Sequence, residues 1–397
     1  MSGALEGVRV ADFSRMYAGP FGSMISRELG AEVIKVEFRE SGDACRTIPP
    51  ITEAGEGYVF SILNRGKKSV TLELKSEEGQ KIARDLIAKS DIVLENFTPG
   101  VMNRLGLGYE EMKKLNPKLV YASLSGFGQD GPYAGKPAFD MVAQAMGGLM
   151  SVTGFPENPP TKCGPAIADL SGGAYTVIAI LAAMQHCNAT GSGQRIDISL
   201  QDCIWLFTSV ETLAAFVLTG KSPGRIGNMH PAIVPWNVYK AKDGYVVLCM
   251  VTIGQWQKLA ETIGRPDLIA DPDQCTMVVR VGRRKELDDI VAAWVAQQTM
   301  AEVQQIMDSV ELPCAPILDT GQIVDDPHMK SREMTVEVEQ MLSGPLKMPG
   351  TIFKMSQTPG DPYKPAPFLG EHNSEIYSEL LGYSEEKIAE LMEKEII

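Results

Sequence analysis

The first 36 residues alternate between a strand, a helix and a second strand, and this pattern strongly constrains the fold. Residues 8–13 (VRVADF) are typical of a strand, and Ala18-Gly19-Pro20 turns the chain into a helix predicted over residues 21–29. Gly30 ends that helix, and residues 31–36 (AEVIKV) predict the next strand. Strand, helix and strand joined by short glycine turns are typical of a parallel α/β sheet. We therefore predict a Rossmann-like α/β domain with a parallel sheet.

Ligands of such sheets bind beyond the carboxyl ends of the strands. Residues 14–18 follow the first predicted strand, and residues 37–42 follow the second. Both stretches are therefore predicted to border a binding pocket.

The chain of 397 residues is long enough for two domains. Its composition shifts at residues 220–225, where glycine, lysine and proline interrupt the apolar pattern. We predict a large α/β domain over residues 1–220 and a smaller α+β domain over residues 225–325. Residues 326–397 are predicted to be a C-terminal segment that returns to the large domain.

The charge balance and the N-terminus exclude several classes of protein. The formal net charge of −13 argues against a surface that binds nucleic acid. No uninterrupted run of about 18 apolar residues is present, so no membrane span is expected. The first residues lack the basic and apolar regions of a signal peptide, and the seven cysteines form no C-x-x-C pair. These features predict a cytoplasmic protein with reduced thiols, and the widely spaced histidines give no metal signature.

Asp169 is the only charged residue between Lys162 and Arg195. It follows a proline-rich loop and precedes an apolar helix predicted from Leu170 to about Met184. An aspartate here is typical of a helix N-cap, which receives the first free N–H groups. A second interpretation is a nucleophilic carboxylate in an apolar pocket, with Gly172 and Gly173 leaving room for a ligand or a partner backbone close above it. The two roles are compatible.

Residues 126–131 read Gly-Phe-Gly-Gln-Asp-Gly and match the G-x-G-x-x-G pattern of dinucleotide sites. Such a site needs a helix that opens at the third glycine. Here the following residues, Pro-Tyr-Ala-Gly-Lys-Pro, predict a loop. A nicotinamide-dependent dehydrogenase is therefore rejected.

Four ordered motifs resemble CoA-transferase family III, the CaiB/BaiF group that includes the formyl-CoA and carnitine CoA-transferases. They are residues 5–13 (LEGVRVADF), 18–20 (AGP), 164–173 (GPAIADLSGG) and 369–373 (LGEHN). The resemblance implies a CoA-transferase of the EC 2.8.3 class, with Asp169 as the nucleophile that forms a covalent aspartyl-CoA thioester. The CoA thioester is then a substrate, exchanged between an acyl-CoA donor and a carboxylic acid acceptor. No bound cofactor or metal is implied, and the partner is a second copy of the chain in an interlocked homodimer.

The same resemblance assigns the residues that contact CoA. Leu72, Glu73, Leu74 and Lys75 match positions that line the CoA site, and so do Asn96, Phe97, Thr98 and Arg104. The other assigned contacts are Tyr17, Ala18, Phe38, Arg39, Lys136 and Asp140.

Phe38, Arg39, Arg104 and the basic turn 64–69 need separate interpretation. Formyl-CoA transferase carries an arginine at the position of Phe38, so either Phe38 stacks on adenine or Arg39 replaces that contact. Arg104 is expected two turns inside a helix, from which it would reach back to a phosphate. The basic turn 64–69 is typical of a solvated hairpin tip.

Two alternative functions are considered: a racemase of the same superfamily, and a protein that binds CoA without catalysis. An α-methylacyl-CoA racemase needs two proton-transfer groups, and related racemases carry a His-Asp pair where this chain has Phe139-Asp140. Phe139 cannot transfer a proton, so racemase activity is not expected. A non-catalytic CoA-binding protein is disfavoured by the intact Asp169.

The aromatic residues Trp205, Phe207 and Phe216 of the helix predicted after residue 200 are expected in the core.

Overall fold

A computed structural model describes residues 3–397. The chain forms two compact units. The large unit contains the chain up to residue 149, residues 162–221 and residues 328–397. The small unit contains residues 150–161 and 222–327.

A six-stranded, fully parallel sheet organises the large unit. Its strand order is β3-β2-β1-β4-β5-β6. The strands are β1 (Arg9–Asp12), β2 (Glu32–Glu37), β3 (Lys68–Thr71), β4 (Ile92–Glu95), β5 (Val120–Ser125) and β6 (Arg195–Ser199). The chain returns across the sheet between β1 and β4, so this pair is the topological switch point at which Rossmann-like sheets bind ligands. The predicted α/β class is confirmed.

Among the described residues up to 221, nine α-helices accompany the strands, and α7 runs into the part of the chain that belongs to the small unit. They are α1 (Ala18–Glu28), α2 (Tyr58–Leu63), α3 (Glu77–Ala88), α4 (Val101–Arg104), α5 (Tyr109–Leu115), α6 (Asp140–Met146), α7 (Leu149–Val152), α8 (Ile167–Thr190) and α9 (Leu200–Thr219). The predicted helix around Arg104 is wrong in length. Helix α4 is a single turn that ends at Arg104, because Gly106 follows with a positive φ of 67°. Arg104 therefore does not lie two turns inside a helix.

The basic turn before β3 is buried, so its interpretation as a solvated hairpin tip is wrong. The guanidinium of Arg65 pairs with Glu28 and donates to the carbonyl of Pro349 at 2.6 Å. The ammonium of Lys67 contacts the carboxylate of Asp12 at 3.3 Å. Sequence periodicity misses this because the compensating partners lie far away in the chain.

Helices α8 and α9 differ in how much of their apolar surface is covered. Both are long and apolar enough to cross a membrane, by length and composition alone. Residues of α8 pack into the core beside α1 and the sheet, whereas most of α9 is exposed. The expectation that Trp205, Phe207 and Phe216 lie in the core is wrong, since each is between 43% and 50% exposed.

The small unit has its own core around Trp256, Leu259 and Val291. Its antiparallel sheet, in the order β7-β8-β9, contains β7 (Trp236–Lys240), β8 (Tyr245–Cys249) and β9 (Cys314–Pro316). Its helices are α10 (Ile253–Thr262), α11 (Met277–Gly282), α12 (Arg284–Val295), α13 (Met300–Ser309) and α14 (Thr320–Asp325).

The C-terminal segment is attached to the edge strand β3. It contains α15 (Pro327–Ser331), the hairpin strands β10 (Thr335–Gln340) and β11 (Gly344–Pro349), α16 (Asn373–Glu375) and α17 (Glu385–Glu393). The side-chain amide of Asn373 accepts from the N–H of Thr71 and donates to its hydroxyl. Tyr377 donates to the carbonyl of Thr71, and the N–H of Glu73 donates to the carbonyl of Ile396. These bonds fix the backbone that leaves β3 toward Lys75.

Candidate active site

A cavity of about 640 Å³ opens at the carboxyl ends of the strands in the large unit. It contains Asp169 together with the loops that follow β1 and β4. The lining residues are Arg15, Met16, Tyr17, Ala18, Phe38, Leu74, Lys75, Asn96, Phe97, Thr98, Val101, Leu105, Leu124, Ser125, Gly126, Ala138, Phe139, Asp169 and Leu200. The cavity thus forms at the topological switch point, as the order of the strands leads one to expect.

Most of the residues assigned to the site from the sequence meet in this cavity. These are Tyr17, Ala18, Phe38, Leu74, Lys75, Asn96, Phe97, Thr98 and Asp169. The side chains come from loops after β1, β2, β3 and β4 and from the first turn of α8. The parallel sheet is what brings these distant loops to one edge.

The remaining assigned residues do not line the cavity. Leu72 is buried in the core, and Glu73 accepts from the N–H of Lys75 at 2.7 Å. Arg39 forms ion pairs with Glu40 and Glu395 at 3.6 and 3.2 Å. Lys136 lies over the ring of Tyr133 at 4.0 Å, and Arg104 is exposed at the end of α4. Asp140 binds the start of α8, as described next.

Asp140, rather than Asp169, caps the N-terminus of α8. One carboxylate oxygen of Asp140 accepts from the backbone N–H groups of Ala168 and Asp169, at 2.7 and 3.3 Å. The N-cap position is Ala166, which provides no side-chain hydrogen bond. The prediction that Asp169 receives the first free N–H groups is therefore wrong. Its carboxylate lies in the first helical turn and remains available to the cavity.

Hydrogen bonds that involve Gln144 hold Asp140 in place. Its other oxygen accepts from the side-chain amide of Gln144 at 2.6 Å. The carbonyl oxygen of that amide accepts from the N–H of Cys163 at 2.8 Å. Gln144 is fully buried, so these bonds are shielded from water. They tie the loop before α8 to α6 and fix the turn that carries Asp169.

Gly172 and Gly173 serve packing within the protein. A Cβ atom at Gly172 would lie 2.4 Å from Leu200, and one at Gly173 would lie 2.5 Å from the carbonyl oxygen of Ala18. At Gly173 the close neighbour is another backbone, one of the two uses considered for these glycines, whereas at Gly172 it is the side chain of Leu200. The close approach at Gly173 sets α8 directly against α1 and thereby places Asp169 beside residues 17 and 18.

Two carboxylates close together change the ionisation of the nucleophile candidate. Burial, and then the negative charge of Asp140, raise the pKa of Asp169 to about 7. Burial also raises the pKa of Tyr17, and the charge of Asp169 contributes to that shift. Asp169 is thus a poorly solvated carboxylate that ionises near neutral pH, which increases its reactivity as a nucleophile.

The backbone before Tyr17 is fixed by buried polar groups. The side-chain amide of Asn96 accepts from the N–H of Arg15 and donates to its carbonyl, each at 2.8 Å. Met16 adopts a positive φ of 65°, and its N–H donates to the carboxylate of Asp43 at 3.2 Å. These bonds compensate for a backbone conformation that a methionine rarely adopts.

Arg15 is a cavity residue that the sequence analysis did not single out. Residues 14–18 were predicted to border the pocket, but only Tyr17 and Ala18 were assigned as contacts. The guanidinium carbon of Arg15 lies 4.6 Å from the ring centre of Phe38 and 4.5 Å from that of Phe97. The available signal was the proximity of Arg15 to the first strand end, combined with the departure at Phe38.

Comparisons with known proteins define the class. Residues 5–373 match the model of CoA-transferase family III. The chain is 37% identical to a succinyl-CoA:mesaconate CoA-transferase from Haloarcula hispanica, over 95% of this chain and 96% of that protein. It is 36% identical to a succinyl-CoA–D-citramalate CoA-transferase from Chloroflexus aurantiacus, over 99% and 98%. A CaiB/BaiF family protein from Brucella suis has the same fold, with a TM-score of 0.85, 34% identity and coverage of 96% and 100%.

The protein therefore belongs to CoA-transferase family III. It is an enzyme of the group that transfers CoA between acyl-CoA thioesters and carboxylic acids, as the resemblance of its motifs indicates.

The raised pKa of Asp169 predicts a gain in stability when its charge is removed. The folded state binds the Asp169 proton more tightly than the unfolded state, so ionisation costs the wild type stability as the pH rises from about 4 to about 7. We expect Asp169→Asn to be more stable than wild type by about 1–4 kcal/mol at pH 8. Urea unfolding should show this difference narrowing as the pH falls from 7 toward 4. An equal difference at pH 5 and pH 8 would contradict the prediction.

Burial raises the pKa of Asp169, and the charge of Asp140 raises it further, so this charge is expected to contribute to the pH dependence of transfer. Asp140→Asn keeps an oxygen that can accept from Ala168 but removes the charge that raises the pKa of Asp169. The acid limb of kcat/KM, near pH 7 in the wild type, should move to lower pH. Asp202→Asn is the matched control, since Asp202 occupies the first turn of α9 and does not contribute to the shift at Asp169. An unchanged limb in Asp140→Asn would show that burial alone sets the pKa.

Proposed function

We propose that Asp169 transfers CoA through a covalent aspartyl-CoA thioester. The carboxylate attacks the carbonyl of the donor thioester, forms a mixed anhydride and releases CoA thiolate. The thiolate then attacks the aspartyl carbonyl, so the donor acid leaves as a carboxylate and CoA remains on Asp169. The acceptor carboxylate attacks this thioester, and the same two steps in reverse release the new acyl-CoA and restore Asp169. Dividing the exchange in this way replaces one difficult step by easier ones.

The observation that carries this proposal is the state of Asp169. It is the carboxylate that lines the cavity, it makes no ion pair within the described residues, and its pKa is raised to about 7. A carboxylate with little solvation has less to lose when it attacks a thioester. Its position in the first turn of α8 directs the positive end of the helix dipole toward negative charge that develops there.

The CoA portion is proposed to enter past the exposed cations of the cavity rim. Lys75 lines the cavity and is exposed, and Arg104 is exposed one turn beyond Thr98 and Val101. Exposed ammonium and guanidinium groups suit hydrated phosphates, which lose little solvent on binding. Arg39 is already paired with two carboxylates, which disfavours it as the contact for adenine.

The relatives suggest the class of acid. Their names specify succinyl-CoA as donor and mesaconate or citramalate as acceptor, and all of these carry a second carboxylate. We propose that this enzyme also exchanges CoA between short dicarboxylic acids and acts in the cytoplasm, where their CoA thioesters form. The racemase alternative receives no support, because Phe139 lines the cavity where a proton-transfer histidine would be needed.

The covalent role of Asp169 can be tested directly. Asp169→Ala should lose CoA transfer from succinyl-CoA to mesaconate by about 10³-fold or more, with free CoA still bound. Mass spectrometry of wild type, incubated with succinyl-CoA and quenched with borohydride, should show the modification on the peptide that contains Asp169. Transfer at the wild-type rate in Asp169→Ala would overturn both the mechanism and the assignment of the residue. Binding of CoA without any transfer by wild type would favour the non-catalytic alternative.

A homodimer is proposed because a broad apolar face of α9 is uncovered. Val210, Val217 and Leu218 are 75%, 70% and 83% exposed, and aromatic side chains lie beside them. A face of this kind on a water-exposed helix is typical of an obligate protein interface. An interlocked dimer, as the family resemblance implies, would cover it with a second copy of the chain.

Charges placed on α9 should disrupt that assembly. The wild type is expected at twice the chain mass of 43.1 kDa in light scattering, even at micromolar concentration. The double variant Val217→Asp/Leu218→Asp should shift the protein to monomers or to aggregates, because two charges would be buried at an interface. Leu115→Asp, on the exposed end of α5, is the control and should leave the mass unchanged. A stable, active wild-type monomer would rule out the dimer.

A further inference from the structure

Arg15 is a half-buried cation in the wall of the cavity that contains Asp169. Within residues 3–397 the side chain of Arg15 makes no hydrogen bond and no ion pair. Burial lowers the pKa of Arg15, and the negative charge of Asp43 partly offsets that shift. The carboxylate of Asp43 is already bound by Lys35 at 2.9 Å and by the N–H of Cys45 at 3.0 Å. The guanidinium of Arg15 is therefore available to a ligand.

Arg15 combines two aromatic contacts with N–H groups that have no protein acceptor. Its guanidinium carbon lies 4.6 Å from the ring centre of Phe38 and 4.5 Å from that of Phe97, so both rings stabilise the cation. The N–H groups of the guanidinium donate to no acceptor within the described residues, and two of them match the two oxygens of a carboxylate. Arg15 is thus suited to bind an oxyanion.

The position of Arg15 is also fixed before any ligand binds. Asn96 holds its backbone on both sides, and Asp43 holds the next residue. A prearranged cation loses little conformational entropy on binding, so its contribution to specificity is large. Lys75 differs, since it is an exposed, flexible side chain at the rim of the same cavity.

We propose that Arg15 binds the carboxylate that a dicarboxylic substrate keeps free while its other end reacts at Asp169. This inference rests on the proposed function and extends it by naming the group that selects the acid. A half-buried cation among aromatic rings suits a compact carboxylate, whereas the hydrated phosphates of CoA suit the exposed cations of the rim. Arg15 is a specificity residue in this proposal, and it takes no part in the covalent steps.

Binding to an inactive background tests the proposal without relying on turnover. Asp169→Asn cannot form the covalent intermediate, so acyl-CoA thioesters can be titrated into it by calorimetry. Succinyl-CoA and butyryl-CoA are the ligands, because they share CoA and chain length and differ in the terminal carboxylate. Adding Arg15→Gln to the Asp169→Asn protein should weaken the binding of succinyl-CoA by about ten- to a hundredfold and the binding of butyryl-CoA by less than about threefold. Arg15→Lys should recover part of the affinity for succinyl-CoA.

Lys75→Gln is the matched control, a neutralised cation of the same cavity. Lys75→Gln should weaken the binding of succinyl-CoA and of butyryl-CoA by the same factor, because both ligands carry the phosphates of CoA. Equal loss of both ligands in Arg15→Gln would assign Arg15 to the phosphates and overturn the proposal, and so would no loss of either. If Arg15→Gln does not fold, the Asp169→Asn protein with Arg15 intact must still prefer succinyl-CoA over butyryl-CoA by at least about tenfold. Absence of that preference would overturn the proposal as well.

The test separates this inference from the function on which it rests. Suppose that the wild type transfers CoA and that Arg15→Gln does not change the ratio of the affinities for succinyl-CoA and butyryl-CoA. The transferase function would then stand, and the role proposed for Arg15 would not. Wild type without transfer, but with the expected selective loss in Arg15→Gln, would retain Arg15 as a carboxylate-binding residue and remove the covalent mechanism.

Discussion

Four buried charges in and beside β1, β2 and β3 support the whole site. Asp12, Lys35, Asp43 and Lys67 are almost fully shielded from water. Burial alone would raise the pKa of Asp12, but the charges of Lys67 and Lys35 outweigh it and keep this carboxylate ionised. Lys35 also donates to the carbonyl of Ser14 at 2.8 Å. Removing any one charge would leave its partner buried and unpaired, which is costly, so the network holds the loop 14–17 in one conformation.

That fixed loop and the start of α8 divide two tasks between two aspartates. Asp140 satisfies the free N–H groups of the helix, and Asp169 remains open to the cavity. Burial and the nearby negative charge of Asp140 raise the pKa of Asp169 to about 7. The same arrangement that costs stability at neutral pH thus keeps a reactive carboxylate in place, a common feature of catalytic sites.

Much of the fold was predictable because its signals are local. Glycine turns and apolar runs identified β1, α1 and β2, and the motif around residues 164–173 identified Asp169 as the reactive group to consider. Predictions failed where the deciding partner lies far away in the sequence. The cap of α8 comes from Asp140, 28 residues earlier than Ala168, and the turn 64–69 is buried against Glu28 and Asp12. The exposed aromatic residues of α9 were expected in the core because apolar periodicity does not tell a protein core from an interface.

The sequence by itself determined the class of the sheet, the family of the protein and the residue proposed as nucleophile, because each depends on short motifs or on the local pattern of the first 36 residues. Only the tertiary structure decided which cations face the cavity. Arg39, Arg104 and Lys136 look equivalent to Arg15 in a sequence, since each is a basic residue near a strand end or a loop. Packing distinguishes them. Arg39 is paired with carboxylates, and Arg104 and Lys136 are exposed. Arg15 lies over the rings of Phe38 and Phe97, and its side chain makes no hydrogen bond or ion pair in the part of the chain that the structure describes. Charge alone is visible in a sequence, but solvation and pairing arise only when distant segments pack together.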